Sequence, residues 1–218
     1  EIPNSFFGKY NPYRELIEGD WFNDLGRIHH TGEVYLNGKS LWEMEQLEKV
    51  LHPVKQENAF DPEGSLHTWY CETDAEKTAI YANFQGANPN KELVEINVRN
   101  SCFYPQEIGI NYITISGFRM CQAATNWAAP TAEQVGLIGT NWSKGWIIEN
   151  NVISDSRCSG ITLGKDRASG HNAAQHSKKG GTLEYIEIIF EVLQRDWSKE
   201  NVGSHVVQNN VIYNCSQT

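Results

Sequence analysis

The chain has 218 residues, 39% of them hydrophobic, with 18 basic and 27 acidic side chains for a net charge of −9. That length can bury one sizeable core or two smaller ones, and no apolar run approaches the ~18 residues of a membrane span. The acidic balance and the lack of a basic stripe exclude the phosphate neutralisation on which nucleic-acid binding rests. The opening EIPNSFFGKYNPY has neither the basic start nor the apolar centre of a secretory signal, and it lacks Met. Five widely spaced cysteines, with no CxxC, read as reduced, packed thiols and favour the cytoplasm. Seven Trp, nine Tyr and eight Phe suit an acidic chain that stacks sugar faces, although core packing uses most such rings.

Up to about residue 100 the patterning predicts antiparallel sheet. GEVYLNGKSLWEM sets Asn37-Gly38 between two strand-like runs, the pair preferred where both central residues of a hairpin turn need positive φ. LWEMEQLEKVLHPV predicts one short helix ended by Pro53. HTWYCET (67–73), TAIYANF (78–84) and LVEINVR (93–99) alternate, with Ile80, Ala82 and Phe84 on one inner face and Val94, Ile96 and Val98 on another; QGANPN (85–90) is a loop. Together they predict a small β-sandwich over residues 1–104, including its leading segment.

From residue 105 to 218 a different pattern holds. YITISGFRM (112–120), WIIENNVIS (146–154) and HVVQNNVIY (205–213) align on Ile113, Ile147 and Val206, at separations of 34 and 59 residues. Unequal repeats of this kind predict coils of a parallel β-helix with insertions. Asn150-Asn151 and Asn209-Asn210 are expected at equivalent corners, where Asn adopts left-handed geometry and its amide bonds the amide of the next coil. Gly117 is expected to fill the turn position of Asn151, and SGITLG (159–164) to form the next strand. GKDRASGHNAAQHSKKGG (164–181) reads as a loop. The helix expected at 183–195 has Leu183, Ile186, Ile189, Phe190 and Leu193 at helical spacing, so a loop-plus-helix excursion occupies 164–204. Because NVIYNCSQT stops in mid-coil, the natural protein is expected to continue beyond Thr218 and to begin before Glu1.

No GxSxG, HExxH, P-loop or Rossmann fingerprint is present. His29-His30 could suggest a metal pair, but neighbours on a strand point to opposite faces, and a solvated turn is the better reading. Glu107, Glu133, Glu149, Asp155 and Asp166 are candidate acids. Glycoside hydrolysis needs two carboxylates roughly 5 Å or about 6.5–9.5 Å apart, and spacing in sequence does not pair any of these. Gln208 and Asn214 hold the places of Glu149 and Asp155 in the next repeat, which marks those two as polar exterior positions. The run ATNWAAPTAEQVGLIGTNWSKGW (124–146) is a loop concentrating Trp127, Trp142 and Trp146. It is either a sugar cleft, with rings for C–H faces and amides for hydroxyls, or a loop packed by its own tryptophans. EGDWF (18–22) poses the same choice at Trp21.

NPY (11–13) with GDW (19–21), VYLNG (34–38), TAIYANFQGANPN (78–90), VEINVRNSCFYP (94–105), GLIGTNWSKGWIIENN (136–151) and WSKENVGSHVVQNNVIYNC (197–215) together resemble bacterial β-xylosidases of glycoside hydrolase family 120. The resemblance implies an all-β fold, a right-handed parallel β-helix interrupted by a β-sandwich. It implies release of xylose from β-1,4-xylo-oligosaccharides with retention, by an Asp nucleophile and a Glu acid/base lying in stretches without counterpart here. The isolated chain is then expected to be inactive. Trp21 matches the tryptophan of the family's sugar site, where the sandwich meets the helix, and Trp127, Gln134, Asn141 and Trp142 are expected as further substrate contacts. The resemblance implies no cofactor or metal. Partners would be the oligosaccharide and either a second copy or the rest of the enzyme, with no nucleic acid and no membrane. A β-helix polysaccharide lyase, which would need an Asp cluster for calcium, and a non-catalytic carbohydrate-binding or assembly module are the alternatives.

Overall fold

The computed structural model describes residues 1–17, 28–128, 132–133, 135–164, 181–195 and 197–215. Internal contacts divide the chain into two units, one of Glu1–Ile17 with Ile28–Arg99 and one that includes Asn100–Thr218. The described residues are mostly β, with two α-helices and two short 3-10 turns.

The first unit contains β1 (Ile2–Pro3), β2 (Val34–Leu36), β3 (Lys39–Ser40), β4 (Trp42–Glu43), α1 (Leu47–Leu51), β5 (Thr68–Thr73), β6 (Lys77–Asn83) and β7 (Val94–Ile96). Two sheets result, in strand orders β1-β6-β5-β4 and β3-β2-β7. Both feed one apolar cluster, centred on Phe7, Tyr13, Val34, Leu41, Trp69 and Cys71. Ile80, Ala82, Phe84, Ile96 and Val98 pack against it, as their alternation predicts. The Asn37-Gly38 turn is present with φ of 52° and 78°, and Leu36 pairs with Lys39 across it.

Three expectations for this unit are corrected. The sheet is not wholly antiparallel, because β4 runs parallel to β5 with Trp42 beside Thr68. The helix is confined to Leu47–Leu51, since the backbone N–H groups of Trp42 and Met44 are drawn into sheet bonds with His67 and Trp69. His29 and His30 do not point apart. His30 Nδ1 lies 2.6 Å from Glu43 Oε1 and His29 Nδ1 lies 3.4 Å from Glu43 Oε2, because the backbone there is irregular and not a continuous strand.

The second unit is built from three-residue and shorter strands: β8 (Thr114–Ser116), β9 (Arg119–Cys121), β10 (Ile138–Gly139), β11 (Ile147–Glu149), β12 (Val152–Ser154), β13 (Ile161–Thr162), β14 (Val206–Gln208) and β15 (Val211–Tyr213), with α2 (Gly181–Gln194) between the last two pairs. They form three parallel sheets, β14-β11-β8, β15-β12-β9 and β10-β13. Ile147 pairs with Val206 as the 59-residue separation predicts, but its other partner is Thr114 and not Ile113, so the first separation is 33. A slip of one residue would turn the wrong side chains inward. The observed register stacks buried Ile115 on buried Ile148, and buried Met120 on buried Ile153. Gly117 accordingly matches Asn150, not Asn151.

Left-handed residues stack at the same offsets in three columns, five residues apart along the chain. Tyr112, Gly145 and Ser204 form the first, Gly117, Asn150 and Asn209 the second, and Gln122, Asp155 and Asn214 the third, all with φ between 50° and 79°. Each of the six strands in the two three-stranded sheets thus ends in a corner. The residue after the middle corner supplies an amide ladder. Asn151 is buried; its Oδ1 accepts from Phe118 N–H at 2.9 Å and its Nδ2 donates to Ile115 O at 2.9 Å and to Asn210 Oδ1 at 3.0 Å. Asn210 repeats the bond one level on, to Ile148 O at 2.8 Å. The predicted helix is present as α2, but the side chain it buries is Ile188, while Leu183, Ile186, Phe190 and Leu193 are exposed.

Candidate functional site

The site is a cleft of about 510 Å³ in the second unit, lined among others by Asn100, Ser101, Tyr104, Gln106, Glu133 and Asn141. Its geometry begins with backbone. Phe103 bridges Ile138 of β10 in parallel register, which brings Tyr104 beside Gly139. A Cβ at Gly139 would lie 2.6 Å from the Tyr104 ring, so only glycine lets that ring rest on the strand. After Gly139 the chain turns through Asn141 and Trp142 with φ of 44° and 52°. Two successive left-handed non-glycine residues are costly, and strain of that kind persists only where surroundings over-determine it. Here the 105–111 segment does so. Asn141 Nδ2 donates to Pro105 O at 2.9 Å, Gly109 N–H to Trp142 O at 3.2 Å, and Lys144 N–H to Asn111 Oδ1 at 2.8 Å.

The Tyr104 hydroxyl joins the polar groups of the cleft. It donates to Glu133 Oε1 at 2.9 Å and lies 3.3 Å from Asn141 Oδ1. The phenol fixes a carboxylate and an amide side by side, where they can accept from and donate to a ligand's hydroxyls. Burial pushes the Cys102 thiol at the rim up, and the nearby Cys121 adds to the effect, so it is no ready thiolate nucleophile. The described lining holds one carboxylate, whereas cleavage of a glycosidic bond takes two. The cleft has the parts for binding and one of the parts for acid–base chemistry.

The sequence-predicted residues are distributed unevenly. Asn141 lines the cleft. Trp142, adjacent to it, is buried at 8% exposure. Trp127 is half-buried, its N–H donating to Asn126 Oδ1 at 2.8 Å, and it is not among the lining residues. Trp146 is a core ring whose Nε1–H donates to Ile110 O at 2.7 Å. Trp21 and Gln134 lie outside the described residues, as does Asp166. Of the other candidate acids, Glu149 accepts from Gln208 at 2.6 Å, and Asp155 accepts from Ser154 at 2.6 Å and Asn214 at 3.3 Å; these are the stacked exterior positions the repeat predicts. Glu107 is exposed. Sequence reasoning missed Tyr104. Its signal was a pairing of FYP with the glycine of LIGTN, visible only once the register is known. Among the described residues no three His, Cys, Asp or Glu side chains group as ligands for a metal ion, and no helix is long and apolar enough to cross a membrane.

Comparison with known proteins places this geometry. Residues 1–96 match the family model of the glycoside hydrolase 120 insertion domain. A solved structure of XylC in complex with xylose is 49% identical over 98% of this chain, with a TM-score of 0.94, and this chain spans 35% of that one. No curated protein matches. An insertion domain of glycoside hydrolase family 120 is thus matched by the first part of the chain, and the likeness to XylC runs along nearly all of its length.

Proposed function

We propose that the chain is part of a retaining glycoside hydrolase that releases xylose from β-1,4-xylo-oligosaccharides. In this reading the first unit is a β-sandwich, the second consists of coils of a right-handed parallel β-helix, and the nucleophilic Asp and acid/base Glu belong to a stretch with no counterpart in these residues. The observation that carries it is the 49% identity to XylC, a protein solved with xylose bound. The three columns of left-handed corners and the Asn151–Asn210 ladder support the β-helix. Asn141 contributes an amide to the sugar site, with Trp21, Trp127, Gln134 and Trp142 as further contacts.

The 218-residue chain is expected to bind xylobiose and to leave an aryl β-xyloside unhydrolysed. Turnover by the purified chain that is lost in Glu133→Gln or Glu149→Gln would place the catalytic acids within it and overturn the reading. Absence of any xylobiose binding by calorimetry would remove the sugar site from this part of the enzyme.

A further inference from the structure

We propose that the outer face of the four-stranded sheet in the first unit is a second carbohydrate site, an aromatic shelf for a neutral β-1,4-xylan chain. This rests on the carbohydrate reading given above and adds to it a polymer-holding set of residues distinct from those of the cleft. The face follows from alternation. Trp69, Cys71, Ile80 and Ala82 turn into the apolar cluster of this unit, so Tyr70, Glu72, Ala79 and Tyr81 turn away from it. Trp42 joins them, because it lies beside Thr68 in parallel register while its neighbour Leu41 is a core residue. Three aromatic rings thus stand on three neighbouring strands, on the side that the core does not use. Tyr70 and Tyr81 are stacked, their centroids 6.3 Å apart and their planes 24° from parallel. Asn83, at the end of this face, donates to Val50 O of α1 at 2.8 Å, so the helix bounds the shelf, and Trp42 and Tyr81 remain 41% and 37% exposed.

Size and charge choose the occupant. Rings exposed to this degree offer roughly 200 Å² together, well short of the ~800 Å² that each side of a stable protein interface buries. That area suits the flat C–H faces of a few sugar units. Strands lie about 4.8 Å apart, so rings on three of them span roughly 10 Å, a distance for linked units and not for a single one. Along the three strands this face carries two charged side chains, Glu72 and Lys77, and Glu1 pairs with Lys77 at 2.7 Å. A phosphate or an acidic polymer meets no cluster of cations at these positions. A neutral polyol does find partners. Burial, and after it the adjacent Glu72 carboxylate, push the Tyr70 phenol up, so a protonated hydroxyl stays beside an acceptor, the pair that sugar hydroxyls use.

The experiment is hydroxyl-radical footprinting of the full 218-residue chain with and without soluble β-1,4-xylan, read by mass spectrometry, beside calorimetry with xylobiose. Phe60, fully exposed in the same unit, is the internal reference. Modification of Trp42 and Tyr81 relative to Phe60 is expected to fall at least about threefold when xylan is bound, and Tyr81→Ala to weaken xylan binding about threefold to tenfold. Tyr81→Phe, which keeps the ring, should stay within about twofold of the unmodified chain. Unchanged relative modification at a xylan concentration that the chain binds overturns the shelf, and xylobiose binding then leaves the sugar reading intact. Protection of the rings by xylan in a chain that does not bind xylobiose supports the shelf and overturns the sugar site of the cleft. Binding of neither overturns both. Protection that grows with chain concentration in the absence of xylan shows that a second copy covers the rings, and that too overturns the shelf. Footprinting uses the unmodified chain, so it decides the matter even if Tyr81→Ala does not fold.

Discussion

His205 holds the backbone of an adjacent strand by a bond that its protonation destroys. Its Nδ1 accepts the Trp146 N–H at 3.1 Å, which requires the neutral ring with the proton on Nε2. Burial lowers its pKa from the ordinary 6.5, against a smaller opposing effect of the Ser143 carbonyl. The unfolded chain therefore takes up the proton first. The stability that His205 contributes is full above the ordinary histidine range and is lost as the pH falls through it toward the lower folded value. Melting temperature should drop between pH 7.5 and 5.5, and His205→Gln, whose amide oxygen can still accept from Trp146, should show a smaller drop; identical pH dependence in both would show that other groups cause it. Individual site residues were legible in sequence to the extent that their role is local. Asn141, expected as a substrate contact from the resemblance, was legible as a lining residue of the cleft. Tyr104 was not, because it meets Glu133 and Asn141 across 29 and 37 residues of chain. For the tryptophans of that loop sequence left two readings open, a sugar cleft or packing by the rings themselves, and Trp142 and Trp146 are buried.

Within an element the paired asparagines divide two tasks. Asn150 takes the left-handed corner, with φ of 56°, and the buried Asn151 joins the levels. Asn150→Gly should leave stability within about 0.5 kcal/mol, since glycine accepts that backbone and loses little else. Asn151→Ala should cost about 2–4 kcal/mol, because Phe118 N–H and Ile115 O lose their partner in a site water reaches poorly. Urea denaturation of the two variants measures the difference, and equal losses would contradict the division of roles. The same pair explains the one-residue error in the predicted register. Aligning Ile113 with Ile147 sets Ile115 against Glu149, an apolar side chain against a charged one. The pairing of Thr114 with Ile147 sets Ile115 against Ile148 instead. Face alternation decides the register once a partner strand exists to enforce it. In α2 the apolar spacing foretold a helix correctly, yet it did not foretell which side is covered. The buried Ile188 lies outside the stripe of Leu183, Ile186, Phe190 and Leu193.

For the molecule as a whole, burial depends on having a neighbour above and below. Ile148 and Ile153 sit between two other levels and are fully buried, while Val207 and Ile212 occupy the same register one level on and are 42% and 47% exposed. In stacked structures each level contacts only adjacent ones, so an inward-facing register position is not yet a core position. Ile148→Ala should therefore cost about 2–5 kcal/mol and Ile212→Ala less than about 1.5 kcal/mol, as removal of side-chain volume costs most where packing surrounds it. Equal losses in chemical denaturation would show that the third level is covered. The predominance of β structure, the Asn37-Gly38 hairpin, the two α-helices and the repeated corners were determined by sequence alone, because each depends on φ preferences and spacings within a few residues. The parallel course of β4 beside β5, the convergence of both His29 and His30 on Glu43, and the meeting of Tyr104, Glu133 and Asn141 were decided only by the tertiary structure. Each of those brings together groups far apart in the chain, and the free energy that selects them comes from burial and pairing that no local segment has until the sheets are stacked.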